Sequence, residues 1–310
     1  MAGVERPLVA IVGPTASGKS DLALRIAQTF SGEIVNFDAL QLYRGFDIGT
    51  AKTPVSARCG IPHYLFDVLD PRTGFSAGDY ARIARETIAE IASRDRLPVA
   101  VGGTGFYLRA LLDGLPALPS RDESLRARLS DREQRRPGAL HRLLRRLEPA
   151  AAARIHPRDV QKLTRALEIR MLTRTALPSP STANPLEGFK LCQLGLSPDR
   201  ALLVEAIAAR TRRMFEGGLL EEVRGLLAQG LSGDEKPFES LGYKQVLAYL
   251  RGQMTLEHAQ DLTEIETRQY AKRQLTWFRR DPRILWIEGF GSDASVAAAG
   301  LEAVRKFLSV

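Results

Sequence analysis

Eight residues near the start of the chain, Gly13-Pro14-Thr15-Ala16-Ser17-Gly18-Lys19-Ser20, constrain its fold more than any others. They follow an apolar run, Leu8-Val9-Ala10-Ile11-Val12, and lead into an amphipathic segment, Asp21-Leu22-Ala23-Leu24-Arg25-Ile26-Ala27. Strand, glycine loop, helix is the setting a phosphate-cradling P-loop requires. Glycines let backbone N–H groups turn inward, and the helix N-terminus adds partial positive charge. In such a loop Lys19 reaches phosphate oxygens and the Ser20 hydroxyl ligates Mg²⁺. The bland alternative is a glycine-rich turn before a helix. The motif specifies a polyphosphate and leaves open whether the bond broken is P–O or C–O.

Residues 7–113 alternate between strand and helix patterns. Leu8–Val12, Glu33–Phe37 and Leu97–Val101 read as strands; Lys19–Phe30, Ser76–Ser93 and a short segment after Gly105 read as helices. Such alternation implies a parallel sheet covered by helices. Residues 115–188 differ. They open on Leu115-Pro116-Ala117-Leu118-Pro119, close on Leu177-Pro178-Ser179-Pro180-Ser181, and between these breaks are rich in Arg, Leu and Ala with helical periodicity. Beyond them come a strand over Phe189–Leu194, helices over Arg200–Phe215, Leu219–Gln229, Tyr243–Arg251 and Leu256–Arg280, a strand over Arg283–Ile287 and a short amphipathic helix after Ser292. The expected fold is therefore α/β, a P-loop NTPase-like parallel sheet flanked by helices. Its core is residues 1–114 plus 189–310, and residues 115–188 form a helical insertion domain.

Charge singles out the insertion. The chain carries a net charge of +8. From Ser120 to Thr175 there are 15 Arg and Lys against 7 Asp and Glu, and the remaining 29 cations and 29 anions balance. A solvated helical surface is one reading; a polyanion partner is the other, and the concentration of the excess in one segment favours it. Cys59 and Cys192 fit no metal or redox spacing and read as reduced cytosolic thiols; the four histidines are scattered, which argues against zinc. No apolar run reaches membrane-span length and no signal-peptide pattern opens the chain, so a cytoplasmic protein is expected. No feature demands more than a monomer.

Four further stretches carry candidate chemistry. Asp38, directly after a strand, would point into the phosphate site, as a base or by holding Mg²⁺ through water; a helix cap is the alternative. Asp47-Ile48-Gly49-Thr50-Ala51-Lys52 fits a turn near an anionic ligand, weakly. Thr104, in Gly102-Gly103-Thr104-Gly105 after a buried strand, could bind a phosphate oxygen or only shape a tight turn. Thr267–Arg279 interleaves cations and aromatics. On a helix Arg268, Lys272, Leu275 and Arg279 share one face, and Tyr270, Arg273, Trp277 and Arg280 fall near another. That suits RNA. In the alternative the aromatics pack inward, which is expected of Trp277 and Phe278.

These stretches, in this order, resemble the tRNA dimethylallyltransferase family, IPP transferases that prenylate adenosine 37 beside the anticodon. The resemblance runs from the P-loop to Arg280. It rests on that loop, on Gln41–Lys52 and Val101–Gly105, and on Arg165-Ala166-Leu167-Glu168, Leu241-Gly242-Tyr243-Lys244 and Thr267–Arg279. Two departures stand out. Ala39 follows Asp38 where the family has serine, and His63-Tyr64 replaces a His-His pair.

The resemblance implies that the donor is dimethylallyl diphosphate and the acceptor is N6 of adenine in the anticodon stem-loop of tRNA. Asp38 would then be the general base. Gly13, Thr15, Ala16, Ser17, Gly18, Lys19 and Ser20 would bind the diphosphate, with Mg²⁺ on Ser20, and Thr104 and Arg210 would stabilise the leaving charge. Asp38, Gln41, Arg165, Arg268, Gln269, Lys272 and Arg273 would contact tRNA, and residues 115–188 would grip the anticodon stem. A small-molecule kinase, a prenyltransferase acting on free AMP, ADP or ATP, and a non-catalytic RNA-binding protein are the rivals.

Overall fold

The structure, a computed structural model, describes residues 5–116, 118–177 and 184–309. Ala117 and Pro178–Ser181, within the two proline-rich breaks, lie outside the described residues. The chain divides into two compact units, Met1–Leu112 with Leu186–Val310, and Asp113–Pro185.

The first unit begins with β1 (Arg6–Val12), α1 (Lys19–Thr29), β2 (Gly32–Asn36), β3 (His63–Tyr64), α2 (Ala77–Ser93), β4 (Leu97–Val101) and α3 (Gly105–Leu112). The second unit holds α4 (Glu123–Arg135), α5 (Ala139–Leu147), α6 (Pro149–Arg154) and α7 (Val160–Thr173). The first unit resumes with β5 (Phe189–Ser197), α8 (Arg200–Glu216), α9 (Leu219–Ala228), α10 (Tyr243–Leu250), α11 (Leu256–Phe278), β6 (Ile284–Glu288) and α12 (Ala294–Leu308). The Leu186 N–H donates to Leu112 O at 2.8 Å, so the chain leaves and re-enters this unit at adjacent points.

Six parallel strands in the order β3-β2-β4-β1-β5-β6 form the sheet. β1 is central and fully buried beyond Pro7, as expected of a strand covered on both faces. Its side chains alternate. Leu8, Ala10 and Val12 join α2 and α3 through Tyr80, Ala84, Ile88 and Leu111, whereas Val9 and Ile11 join α1 and α12 through Leu22, Ile26, Val296 and Val304. Ser76 starts α2 with a capping box closed by Asp79, which explains the sharp boundary there. A third apolar cluster packs Phe46 against Phe238, Tyr243 and α9.

The strands and helices expected in this unit all form, with ends shifted by a residue or two except in β5. That strand runs three residues past Leu194 because Gly195, Leu196 and Ser197 pair with Trp286, Ile287 and Glu288 of β6. β3, two residues long, gives no periodic signal and was not expected; it exists because Ile34 and Val35 of β2 pair with it.

In the second unit Leu125, Leu129, Leu140, Leu144, Leu163 and Leu167 form the core. Glu168 is completely buried there, ion-paired to Arg165 at 2.5 Å and Arg126 at 3.2 Å, and accepts the Asp122 N–H at 2.8 Å. Burial alone would raise its pKa, but these partners hold it below the usual carboxylate range.

Candidate functional site

The C-terminal ends of β1, β2 and β4, the N-terminus of α1 and the Ala206–Arg213 stretch of α8 converge on one pocket, of about 430 Å³. Parallel sheets place ligands at this end because loop amides and helix N-termini gather there. The P-loop forms its floor. Gly18 caps α1 with φ +78° and lies so close to Gly291 that a Cβ would come within 2.8 Å of its nitrogen. The Gly291 N–H donates to Ser17 O at 2.9 Å, so the β6–α12 loop buttresses the cradle from behind. Ala16 adopts φ 64° and Gly13 φ 146°, the turn geometry that aims successive amides inward. Thr15 through Ser20 all line the pocket; Gly13 packs below it against Leu196. Ser17 Oγ is completely buried and has no hydrogen-bond partner among the described residues, an unfilled polar group inside the loop.

Three charged groups face one another across this space. Lys19 donates to Pro14 O at 2.6 Å, folded back over its own loop. Burial, reinforced by the Arg210 charge and opposed by Asp38, brings its pKa down to about 7. Arg210, on α8, donates to Thr15 Oγ1 at 2.5 Å; burial lowers it to about 10, against the pull of Asp38. Burial pushes Asp38 above the usual carboxylate range, opposed by the Leu40 N–H and by Lys19.

Asp38 is not a helix cap. Asn36 Oδ1 accepts its N–H at 2.7 Å, and its own Oδ1 accepts the Leu40 N–H at 3.0 Å, an Asx turn that fixes the carboxylate. Its Oδ2 faces Gly103. Thr104 shapes the turn. Its carbonyl accepts from Tyr107 and Leu108 at the start of α3, while its Oγ1 accepts the Ala39 N–H at 3.0 Å and so ties the two loops that flank the pocket. The serine expected after Asp38 is thus replaced by an alanine whose backbone makes the tie. Tyr64, the second departure, donates to Glu33 at 2.9 Å, outside the pocket lining; His63 lines the pocket.

Residues 47–52 act differently from the anion turn anticipated. The Gly49 N–H is occupied by Tyr243 Oη at 3.1 Å, and the Asp47 and Ile48 N–H groups donate to Glu222. Lys52, only 4% exposed, bridges Asp47 at 2.5 Å and Asp67 at 2.6 Å. Tyr243 is therefore an anchor for this loop, which presents Thr50 and Ala51 to the pocket. Gln41, also in the lining, donates to Thr50 O at 2.9 Å.

The long helix α11 packs against the loops that flank the site, with Gln274 bonded to Thr15 and Gly103. Arg268 sits 3.5 Å from Glu264; Gln269, Lys272 and Arg273 are exposed, with Arg273 over the Tyr270 ring at 5.9 Å. Phe278 is buried as anticipated, but Trp277 is not: it remains 39% exposed because its indole lies over Gly105, where a Cβ would come within 2.2 Å of the ring. Tyr270 turns inward beside Thr104 and Gln274, and burial and the Asp38 charge push its pKa up.

Sequence reasoning missed Gln274. It shares the buried stripe of Thr267, Ala271 and Phe278, and a polar residue on such a stripe requires partners. Arg165 belongs to the other unit, where Glu168 and Pro119 O occupy its guanidinium.

A P-loop, a buried carboxylate and two buried cations brought together at the C-terminal end of a parallel sheet are the arrangement of an α/β enzyme site. Residues 41–281 match the family described as IPP transferase. A tRNA dimethylallyltransferase of Solibacter usitatus is 54% identical over 97% of this chain and 99% of its own length; one of Koribacter versatilis is 48% identical over 96% and 98%. Among solved structures, the tRNA isopentenylpyrophosphate transferase of Bacillus halodurans is 36% identical with a TM-score of 0.71, covering 99% of this chain and 100% of that one. A eukaryotic dimethylallyltransferase caught acting on tRNA is 26% identical with a TM-score of 0.82, covering 98% and 80%. The chain belongs to the IPP transferase family, and it is a prenyltransferase.

Proposed function

We propose that this chain transfers the dimethylallyl group from dimethylallyl diphosphate to N6 of adenosine 37 in tRNA, releasing diphosphate and leaving N6-dimethylallyladenosine. The observation that carries this reading is the Asp38 carboxylate held opposite the P-loop and its cations. The N6 lone pair is delocalised into the ring, so attack needs a base on its proton. As the N6–C1 bond forms and the allylic C1–O bond breaks, Asp38 takes the N6 proton and the electron pair of C1–O leaves with diphosphate. A carboxylate whose pKa is raised by burial is a stronger base than a solvated one.

Charge builds on the leaving oxygen. Lys19, Arg210 and the loop residues Ala16–Ser20 line the space where it would develop, and Thr104 adjoins the lining residue Gly103. The donor set also fits Mg²⁺. Ser20 Oγ is exposed to the pocket, and among the described residues no group of three His, Cys, Asp or Glu offers a full cage. Mg²⁺ takes one or two protein oxygens and completes its shell from phosphate and water. Bound there, the ion would neutralise charge on the diphosphate.

Exposed cations of the second unit, Arg142, Arg145 and Arg146 on α5 among them, suit the phosphates of an anticodon stem. Gln269, Lys272 and Arg273 suit the loop of the same RNA, with Arg268 on the same helix, and Gln41 in the pocket lining suits its base. Adenosine 37 must leave its stack for N6 to reach Asp38. The chain would work as a cytoplasmic monomer; no described helix is long and apolar enough to cross a membrane.

The test is transfer of labelled dimethylallyl from its diphosphate to unmodified tRNA, with AMP as a parallel acceptor and ATP as a parallel phosphoryl donor. Label in tRNA, lost when adenosine 37 is replaced, supports the reading. Label only in AMP, or ATP consumption without prenyl transfer, overturns it.

A further inference from the structure

Two loops enclose the reaction space, the P-loop on the leaving-group side and Gly102–Gly105 on the acceptor side. One side chain joins them. Gln274 Oε1 accepts the Thr15 N–H at 2.7 Å, and Gln274 Nε2 donates to Gly103 O at 2.9 Å. The orientation of the carboxamide is unambiguous, because one neighbour can only donate and the other can only accept. The side chain is 5% exposed and sits on the buried stripe of a 23-residue helix, so it has little freedom to leave. Tyr270, one turn earlier, lies beside both Gln274 and Thr104.

Two details mark this as a built contact. A Cβ on Gly103 would stand 2.3 Å from Gln274 Nε2, so only glycine lets the amide come this close. Thr15 is held twice, through its N–H by Gln274 and through its hydroxyl by Arg210 at 2.5 Å.

We infer that Gln274 is a positioning residue, a staple that sets the separation of the two loops and hence of the allylic carbon from the adenine N6. The inference rests on the proposed prenyl transfer. Gln274 faces loop backbone on both sides, and its effect comes through Thr15 and Gly103. A displacement of about 1 Å between reacting groups can lower a rate about 100-fold. Glutamate cannot replace it, since its second oxygen would oppose the Gly103 carbonyl, and alanine removes both ties.

The test compares Gln274→Ala, Gln274→Glu and Gly103→Ala with wild type in the full-length protein. Gly103→Ala keeps the glutamine and displaces it, so the question stays open to test if loss of Gln274 impairs folding. Four quantities are read: kcat and KM for transfer, pyrophosphate affinity by calorimetry, melting temperature, and hydrogen–deuterium exchange of peptides spanning residues 13–20 and 102–105. We expect kcat to fall by about 30-fold or more, pyrophosphate affinity to stay within about threefold, melting to change little, and exchange in both loops to rise together. A kcat within about threefold of wild type, exchange that rises in neither loop, or a loss of pyrophosphate affinity as large as the loss in kcat overturns the staple. A wild type that transfers nothing overturns the reaction instead, and the exchange data then decide the staple alone.

Discussion

Replacing Asp38 by asparagine separates base chemistry from shape. Asparagine Oδ1 still accepts the Leu40 N–H now held at 3.0 Å, and the backbone bond from Asp38 N–H to Asn36 is untouched, so the Asx turn survives. What disappears is basicity at the oxygen facing Gly103. A positioned base contributes about 100- to 10,000-fold, or roughly 3–5 kcal/mol of barrier at 1.36 kcal/mol per decade. Asp38→Asn should lower kcat by that range while tRNA affinity, measured by filter binding, stays within about threefold.

The pH profile adds a second reading of the same residue. Its folded pKa is raised, so the base is protonated and inactive on the acid side, and the wild-type rate should climb with pH above the ordinary carboxylate range. That limb should vanish in Asp38→Asn. The same shift gives the stability sign. The native state binds this proton more tightly than the unfolded chain, so Asp38 lowers stability as pH rises through the carboxylate range. Asp38→Asn should therefore melt higher than wild type at neutral pH. Retention of activity within tenfold, or loss of tRNA affinity equal to the loss of rate, would refute the base assignment.

Three further outcomes are expected. Lys19 has a pKa of about 7 in the free protein and is needed as a cation, so pyrophosphate binding should weaken as pH rises through 7, with net proton uptake in calorimetry. Pyrophosphate binding without proton uptake would argue against Lys19 as a ligand. Arg165→Ala strips one partner from fully buried Glu168 and should destabilise the second unit by about 1–3 kcal/mol, with Arg126 limiting the loss; unchanged melting with weaker tRNA binding would instead favour direct contact. Neutralising Arg142, Arg145 and Arg146 together should flatten the salt dependence of tRNA binding by roughly 0.7–0.9 per lost phosphate contact, leaving pyrophosphate affinity alone; an unaltered slope would remove α5 from the RNA interface.

The parts of this protein legible in its sequence are those set by neighbours along the chain. The P-loop is one, because its glycines, lysine and hydroxyls act within eight residues of backbone. The apolar runs of β1 and β4 and the capping box of α2 are others, since burial on both faces and a three-residue cap leave local patterns. Asp38 was visible through its place after a strand.

What the sequence left undecided depends on residues far apart in it. β3 forms only because β2 is there to pair with it. Gly49-Thr50 looks like an anion turn until Tyr243 and Glu222 take its amides. Trp277, read as core, stays half open because Gly105 offers it a flat backbone to lie on. Gln274 looks like any polar helix residue until Thr15 and Gly103 arrive on either side, from 259 and 171 residues away. Local backbone chemistry thus determined the cradle and the carboxylate beside it. Only the folded sheet, bringing the ends of β1 and β4 under α11, decided which polar groups spend their hydrogen bonds on structure and which face the reaction.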